Sequence, residues 1–182
     1  MLIGVYGSGS GELDPKAIRL AKELGEEIAK AGYGIVTGSC AGLPHQALLA
    51  AKSCGGSPLV GYSPAINIEE HQGEFGYPVE GFTELVFLPE IFKEKPKAFR
   101  LKARNLYSVE RTDACVFIAG RTGSMNEFTL AYDAGKLIGL LEGCGGFTDM
   151  AQEIVRKLGK ETGAKIISSN FPRDLIRKMG ET

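Results

Sequence analysis

Glu127 closes the stretch Ala119-Gly120-Arg121-Thr122-Gly123-Ser124-Met125-Asn126-Glu127, which follows an apolar run and leads into a helical one. Two kinds of chemistry fit it. By spacing, Ser124 and Glu127 form a capping box, a hydroxyl and a carboxylate three positions apart that satisfy backbone N–H groups at a helix start. A glycine-bearing turn from a buried strand into a helix also binds anions, because free N–H groups point outward and the helix dipole favours negative charge. In that second setting Gly120, Arg121, Thr122, Gly123 and Ser124 hold a phosphate, and Glu127, one helical turn further on, lies near the sugar. A carboxylate there can do acid–base chemistry on a bound phosphosugar.

Arg104, upstream on an expected helix, is the second candidate: its guanidinium can hold a phosphate. Read alone, with Arg100 and Arg111 nearby, it is a surface arginine on a basic helix face, and Tyr107 three residues on is core. Two further glycine turns supply Gly7 and Ser8 in "YGSGSGELDP" and Gly38 and Ser39 in "VTGSCAGLPHQAL". Their serines can donate to a ligand or simply close turns. All three turns follow strands, so a parallel sheet gathers them at its carboxyl edge, where ligands of such folds bind.

The elements that must position these residues are legible from periodicity. Short apolar runs at Leu2–Tyr6, Gly34–Thr37, Leu59–Tyr62, Glu84–Phe87, Ala114–Ala119, Leu137–Leu141 and Lys165–Ser168 alternate with amphipathic stretches. That alternation predicts an α/β fold, a single Rossmann-like doubly wound domain over residues 1–182 with a mostly parallel sheet flanked by helices. Helices are expected after Asp14-Pro15 up to Gly32, and over Leu43–Ser53, Lys97–Arg111, Ser124–Ala134, Asp149–Leu158 and Pro172–Met179. Residues 63–97 break the rhythm with Pro64, Gly73, Gly76, Pro78, Gly81, Pro89 and Pro96, and read as a long loop with one short strand, a candidate lid or ligand contact.

Composition narrows the function classes. With 21 basic and 22 acidic residues among 182, the net charge of −1 gives no global field for nucleic acid or an anionic membrane. No apolar run reaches the roughly 20 residues that span a bilayer, and the chain opens directly on a strand-like segment without a signal-peptide pattern. Cys40, Cys54, Cys115 and Cys144 form no CxxC pair, so they read as reduced thiols of a cytoplasmic protein, Cys115 in the core. His45 and His71 read as turn and loop histidines, and no metal or cofactor is expected. The first glycine turn fails the G-x-G-x-x-G dinucleotide pattern because Glu12 stands where the last glycine belongs. The acidic residue that reads a ribose about 20 residues on is missing too. A Walker P-loop is excluded by the absence of Gly-Lys-Ser/Thr.

Together these motifs resemble the LOG family, the lysine-decarboxylase-like cytokinin riboside 5′-monophosphate phosphoribohydrolases, and related Rossmann-like nucleotide-binding proteins that include a molybdenum-cofactor carrier branch. The likeness covers most of residues 1–141. The family's P-G-G-x-G-T-x-x-E loop corresponds to Ala119–Glu127, and its upstream Arg-Lys pair to Arg104-Asn105, 23 positions before Glu127. "TGSCAGLPHQALLAA" is similar to the family's glycine-rich second segment, and "EGFTEL" to its stretch before the arginine helix.

The resemblance implies a homodimer that cleaves a nucleoside 5′-monophosphate to free base and ribose 5-phosphate. Glu127 and Arg104 match its catalytic pair, and Gly120, Gly123 and Ser124 its phosphate loop. Its carrier branch implies the rival reading, a non-catalytic carrier or sensor of a nucleotide-like ligand. The chain departs from the pattern at Ala119 for proline, Arg121 for glycine, Ser124 for threonine and Asn105 for lysine. Arg121 either obstructs the pocket or binds the phosphate bidentately.

Overall fold

The computed structural model describes all of residues 1–182. Seven strands form one parallel sheet: β1 (Leu2–Gly7), β2 (Gly34–Thr37), β3 (Leu59–Tyr62), β4 (Glu84–Val86), β5 (Ala114–Ile118), β6 (Leu137–Leu141) and β7 (Lys165–Ser169). Their spatial order is β4-β3-β2-β1-β5-β6-β7. The chain therefore runs outward in one direction from β1 and resumes on its other side at β5, with Gly7 in register with Ile118. Such a reversal opens a crevice at the carboxyl ends of the two central strands.

Helices α1 (Pro15–Lys30), α2 (Leu43–Ser53) and α7 (Pro172–Gly180) cover one face, and α4 (Lys97–Glu110), α5 (Thr122–Asp133) and α6 (Ala151–Leu158) the other. The first layer buries Ala17, Ala21, Leu24 and Ile28, the apolar stripe of α1, against Ile3, Val5 and Ile35. Asp14 caps α1 by accepting from the Lys16 N–H at 2.9 Å, with Pro15 in the first turn where its missing N–H costs nothing. On the second face Phe117, Phe128 and Phe147 pack edge to face around Tyr6 and Cys115.

Several expectations are corrected. The stretch 63–97 holds, besides β4, a short helix α3 (Ile68–Gly73) and a 3₁₀ turn at Glu90–Phe92. Asn67 caps α3 from the Glu70 N–H, a signal hidden in a run without apolar periodicity. His45 and His71 are buried helical residues of α2 and α3, each bonded to a backbone carbonyl, of Glu80 and Pro78 respectively, at 2.9 Å. Tyr107 is exposed, not core, because α4 turns it outward with Phe99 and Leu106.

Candidate functional site

The crevice at the switch point is a cleft of about 390 Å³ lined from three directions. Gly7, Ser8 and Gly9 reach it from the end of β1, Arg121 to Ser124 and Glu127 from the start of α5, and Leu101, Lys102, Arg104 and Asn105 from α4, with Cys40 between.

The phosphate-loop segment folds differently from the capping box its spacing suggested. Helix α5 begins at Thr122, two residues before Ser124, and its N-cap is Arg121, which makes no side-chain capping bond. The first-turn N–H groups, which have no intrahelical acceptor, are thus left without a side-chain cap. Ser124 lies inside the helix and is buried, and Glu127, also buried, lines the cleft with no hydrogen bond to it. Glycine precedes the helix for a steric reason: Gly120 has φ +87°, and a Cβ there would lie 2.5 Å from Ser124 Oγ. Ser8 Oγ accepts from the Gly120 N–H at 3.1 Å, which ties the first turn to the third.

Arg121 needs no glycine. Its backbone is extended, φ −128° and ψ −152°, and its guanidinium reaches across the cleft mouth to Ser10, bonding the Ser10 carbonyl at 3.2 Å and hydroxyl at 3.0 Å. The side chain spans the opening without filling the loop. Two non-glycine residues adopt left-handed backbone, Ser39 (φ 53°) and Ala119 (φ 51°), one just past β2 and one just past β5. Each such residue costs of order 1 kcal/mol or more, and strain of this kind clusters at binding sites. Proline, whose ring fixes φ near −65°, could not occupy position 119 in this conformation.

Arg104 is not a surface residue: only 6 % of it is exposed. Its Nη1 donates to the carbonyl of Gly38, so α4 is bonded to the end of β2, while its Nε is buried without a partner. Gly38 thereby acts by positioning Arg104 and does not itself line the cleft. Ser39 stands behind it, with its hydroxyl bonded to the Tyr62 carbonyl at 3.0 Å.

Electrostatics single out Glu127. Burial pushes its carboxyl up to about 7, with Arg104 and then Lys102 opposing the shift. Burial likewise raises the Cys40 thiol, against the pull of Arg104. Burial also raises Tyr77, in the 63–97 segment, against the pull of Arg104.

Cys40, Asn105 and Lys102 line the cleft but were not among the residues the sequence singled out for the site. Only Asn105 had a signal, its place beside Arg104. No group of three or more His, Cys, Asp or Glu side chains is arranged to hold a metal ion. No helix is long and apolar enough to cross a membrane.

A family model described as the SLOG cluster4 family matches residues 1–176. The chain belongs to the SLOG cluster4 family. This agrees with the LOG-like resemblance and places the candidate site in a Rossmann-like SLOG fold. An uncharacterized protein of Archaeoglobus fulgidus is 28 % identical over 142 residues, 78 % of this chain and 80 % of its own length.

Among solved structures the SLOG chain is similar to TM1055, with TM-score 0.80 and 20 % identity over 100 % of this chain and 99 % of that one. It is also similar to the molybdenum cofactor binding protein of the phototrophic bacterium Rippkaea orientalis, with TM-score 0.74 and 24 % identity over 99 % and 95 %. DNA processing protein A of Helicobacter pylori, which binds single-stranded DNA, shares the fold at TM-score 0.68 and 18 % identity, over 100 % and 80 %.

Proposed function

We propose that this protein binds a nucleoside 5′-monophosphate in the switch-point cleft and hydrolyses its N-glycosidic bond, releasing free base and ribose 5-phosphate. One observation carries the reading: Glu127 is buried in the cleft wall, free of any capping role, one helical turn past the uncapped N–H groups at the start of α5.

Those N–H groups, with Gly120, Gly123 and the Ser124 hydroxyl, take the 5′-phosphate. Arg121, held over the opening by Ser10, adds a positive charge. The ribose then lies along the first turn of α5 with its anomeric carbon toward Glu127. As the C1′–N bond lengthens, its electron pair leaves with the base and the sugar becomes cationic. The carboxylate of Glu127 stabilises that charge and takes a proton from the water that adds to C1′, and that proton then passes to the departed base, which restores the carboxylate and leaves the free base. Arg104, pinned by Gly38, favours the ionised form of Glu127 and offers a donor toward ligand oxygens. No metal or other cofactor has a part in this scheme.

The four free thiols suit a cytoplasmic protein, and the single continuous sheet suits one domain over 1–182. Exposed Ile91, Phe99 and Leu106 offer an apolar surface on which a second copy would complete a homodimer.

A second reading, a non-catalytic carrier of a nucleotide-like ligand, is favoured by the Arg121 bridge to Ser10, which narrows the cleft mouth, and by the likeness to the cofactor-binding protein of Rippkaea orientalis.

The deciding experiment is chromatography of AMP, GMP, CMP, UMP and IMP after incubation with the purified protein and with Glu127→Gln. Base released by the wild type and not by the variant supports the hydrolase. Thermal stabilisation by an intact nucleotide with no base released supports the carrier and overturns the hydrolase.

A further inference from the structure

Two buried side-chain atoms in the whole protein have no hydrogen-bond partner, Arg104 Nε and Asn105 Oδ1. They belong to adjacent residues of α4, and both residues line the same cleft. Buried polar atoms are rarely left unpaired, because each forgoes its bond to water without replacement. Their coincidence in one wall therefore marks where a ligand makes its polar contacts.

The Asn105 carboxamide is oriented by its surroundings. Its Nδ2 donates one N–H to Asn126 Oδ1 at 2.9 Å, which orients the amide, and its Oδ1 is left as a buried acceptor without a partner. Asn126 immediately precedes Glu127, on the second turn of α5 from the uncapped N–H groups, so the pair fixes the free oxygen beside the sugar portion of a ligand whose phosphate rests at the helix start. An acceptor recognises only a donor. A phosphate dianion, a carbonyl or a ring nitrogen lone pair cannot supply one. Arg104 Nε, on the preceding residue and in the same cleft wall, is a donor and asks for an acceptor. A hydroxyl does both at one atom, and the vicinal hydroxyls of a ribose can serve the two separately.

We infer that Asn105, held by Asn126, is a specificity residue that accepts a hydrogen bond from a ribose hydroxyl, so that the cleft selects ribonucleotides over 2′-deoxyribonucleotides. The selection rests on the proposed binding of a nucleoside monophosphate but not on its hydrolysis. A site with a buried unpaired acceptor rejects the ligand that lacks the matching donor more strongly than it rewards the one that has it.

The test is equilibrium binding, by titration calorimetry, of each of the five ribonucleotides together with its 2′-deoxy and 3′-deoxy counterparts. Wild type is compared with Asn105→Ala, Asn105→Asp and Asn126→Ala. Wild type should bind one or both deoxy forms about 10-fold or more weakly than the ribonucleotide. Asn105→Ala should bring that ratio close to 1. Asn105→Asp, which keeps an acceptor, should retain a preference for the ribo form, and Asn126→Ala should reduce it by loosening the amide.

Circular dichroism and melting curves show whether each variant is folded, and the wild-type comparison stands without any variant. Tight binding with equal affinity for ribo and both deoxy forms overturns the inference and leaves the proposed nucleotide site intact. Absence of binding by all five nucleotides overturns the inference together with the reading it rests on.

Discussion

Arg104 and Gly38 interlock. The arginine lays its guanidinium against the glycine and donates to its carbonyl, and a Cβ on Gly38 would occupy the space of Nη1. The end of β2 thus sets the position of a side chain that belongs to α4, and through it one wall of the cleft. Gly38→Ala should displace Arg104 without touching a ligand. Overpacking of this kind costs roughly 1–3 kcal/mol. Misplacing a positioned group by an ångström can lower catalysis by as much as about 100-fold. Urea unfolding and kcat/KM for base release check the pair. Full activity with a normal melting curve would show that Arg104 needs no such anchor.

The raised carboxyl of Glu127 makes a pH prediction whose sign is unusual for an acid. An unfolded glutamate ionises near 4.5, and the folded one near 7, because burial penalises the charge more than Arg104 and Lys102 favour it. Between those values the native state holds the proton that the unfolded state has lost, so stability falls as pH rises from 4.5 to 7 and is level above. Over that window the loss is about 3 kcal/mol. Glu127→Gln should be more stable than wild type at pH 8 by an amount of that order, and little different at pH 4. Activity that depends on the carboxylate should rise through pH 7. Parallel denaturation curves of the two proteins from pH 4 to 9 would refute the buried charge.

Glycines 120 and 123 should separate cleanly. At Gly120 both φ and the approach of Ser124 exclude a side chain, so Gly120→Ala should destabilise the fold by about 1–3 kcal/mol and weaken binding of phosphorylated ligands. At Gly123 a Cβ meets nothing within 4 Å and the backbone is helical. Gly123→Ala should leave the melting temperature unchanged or raise it, the gain being up to about 1 kcal/mol. A matched loss of stability in both variants would contradict the loop geometry.

Much of this fold was legible because strands buried on both faces leave near-continuous apolar runs, as at Ala114–Ile118, and because Asp14-Pro15 marks a helix start unambiguously. The site was legible only in part. Glycine turns after strands pointed to the switch point, and the spacing of Arg104 and Glu127 pointed to a pair. What spacing could not give was where α5 begins. Ser124 and Glu127 suit a capping box, but Phe128 packs against Phe117 and Phe147, and the helix that places it there starts at Thr122. Arg104 read as exposed because a lone arginine usually is, and only the approach of β2 shows its burial. Asn105 acts through a contact distant in sequence, with Asn126, which no local pattern records, and the Asn67 cap, though only three residues from Glu70, opens a short helix with no apolar periodicity to reveal it.

Arg121 should distinguish obstruction from recognition. Its side chain is exposed and its bonds to Ser10 are at the surface, so Arg121→Gly should change stability by less than about 0.5 kcal/mol. If the guanidinium binds phosphate, the variant should lose about 10-fold or more in affinity for a nucleoside monophosphate and nothing for the nucleoside, with the difference shrinking at high salt. Tighter binding of both ligands by the variant would show instead that the bridge to Ser10 obstructs the cleft.

Arg100 holds the segment that carries Tyr77. Its side chain is 3 % exposed, pairs with Glu70, donates from Nε to the Pro64 carbonyl at 2.9 Å, and lies over the Phe75 ring at 5.1 Å. One arginine of α4 thus fastens residues 63–77 at three points, Pro64, Glu70 and the adjacent pair Glu74-Phe75, the Glu74 carboxylate lying 3.8 Å from its Nη1, while its neighbour one turn on, Arg104, serves the cleft. Arg100→Met keeps much of the volume and removes the charge. Glu70, whose side chain is 21 % exposed, can turn to water, so the loss should be nearer 2 kcal/mol than the roughly 3–5 typical of a fully stranded charge. Because the three tethers converge on α3 and its flanking residues, the change should be local. Hydrogen exchange should quicken at residues 65–77 and stay unchanged in α5, and nucleotide affinity should fall with it if Tyr77 contacts the ligand. Faster exchange throughout the sheet would mean that Arg100 supports the whole fold, and unchanged exchange at 65–77 would mean that the tethers are not what orders this segment.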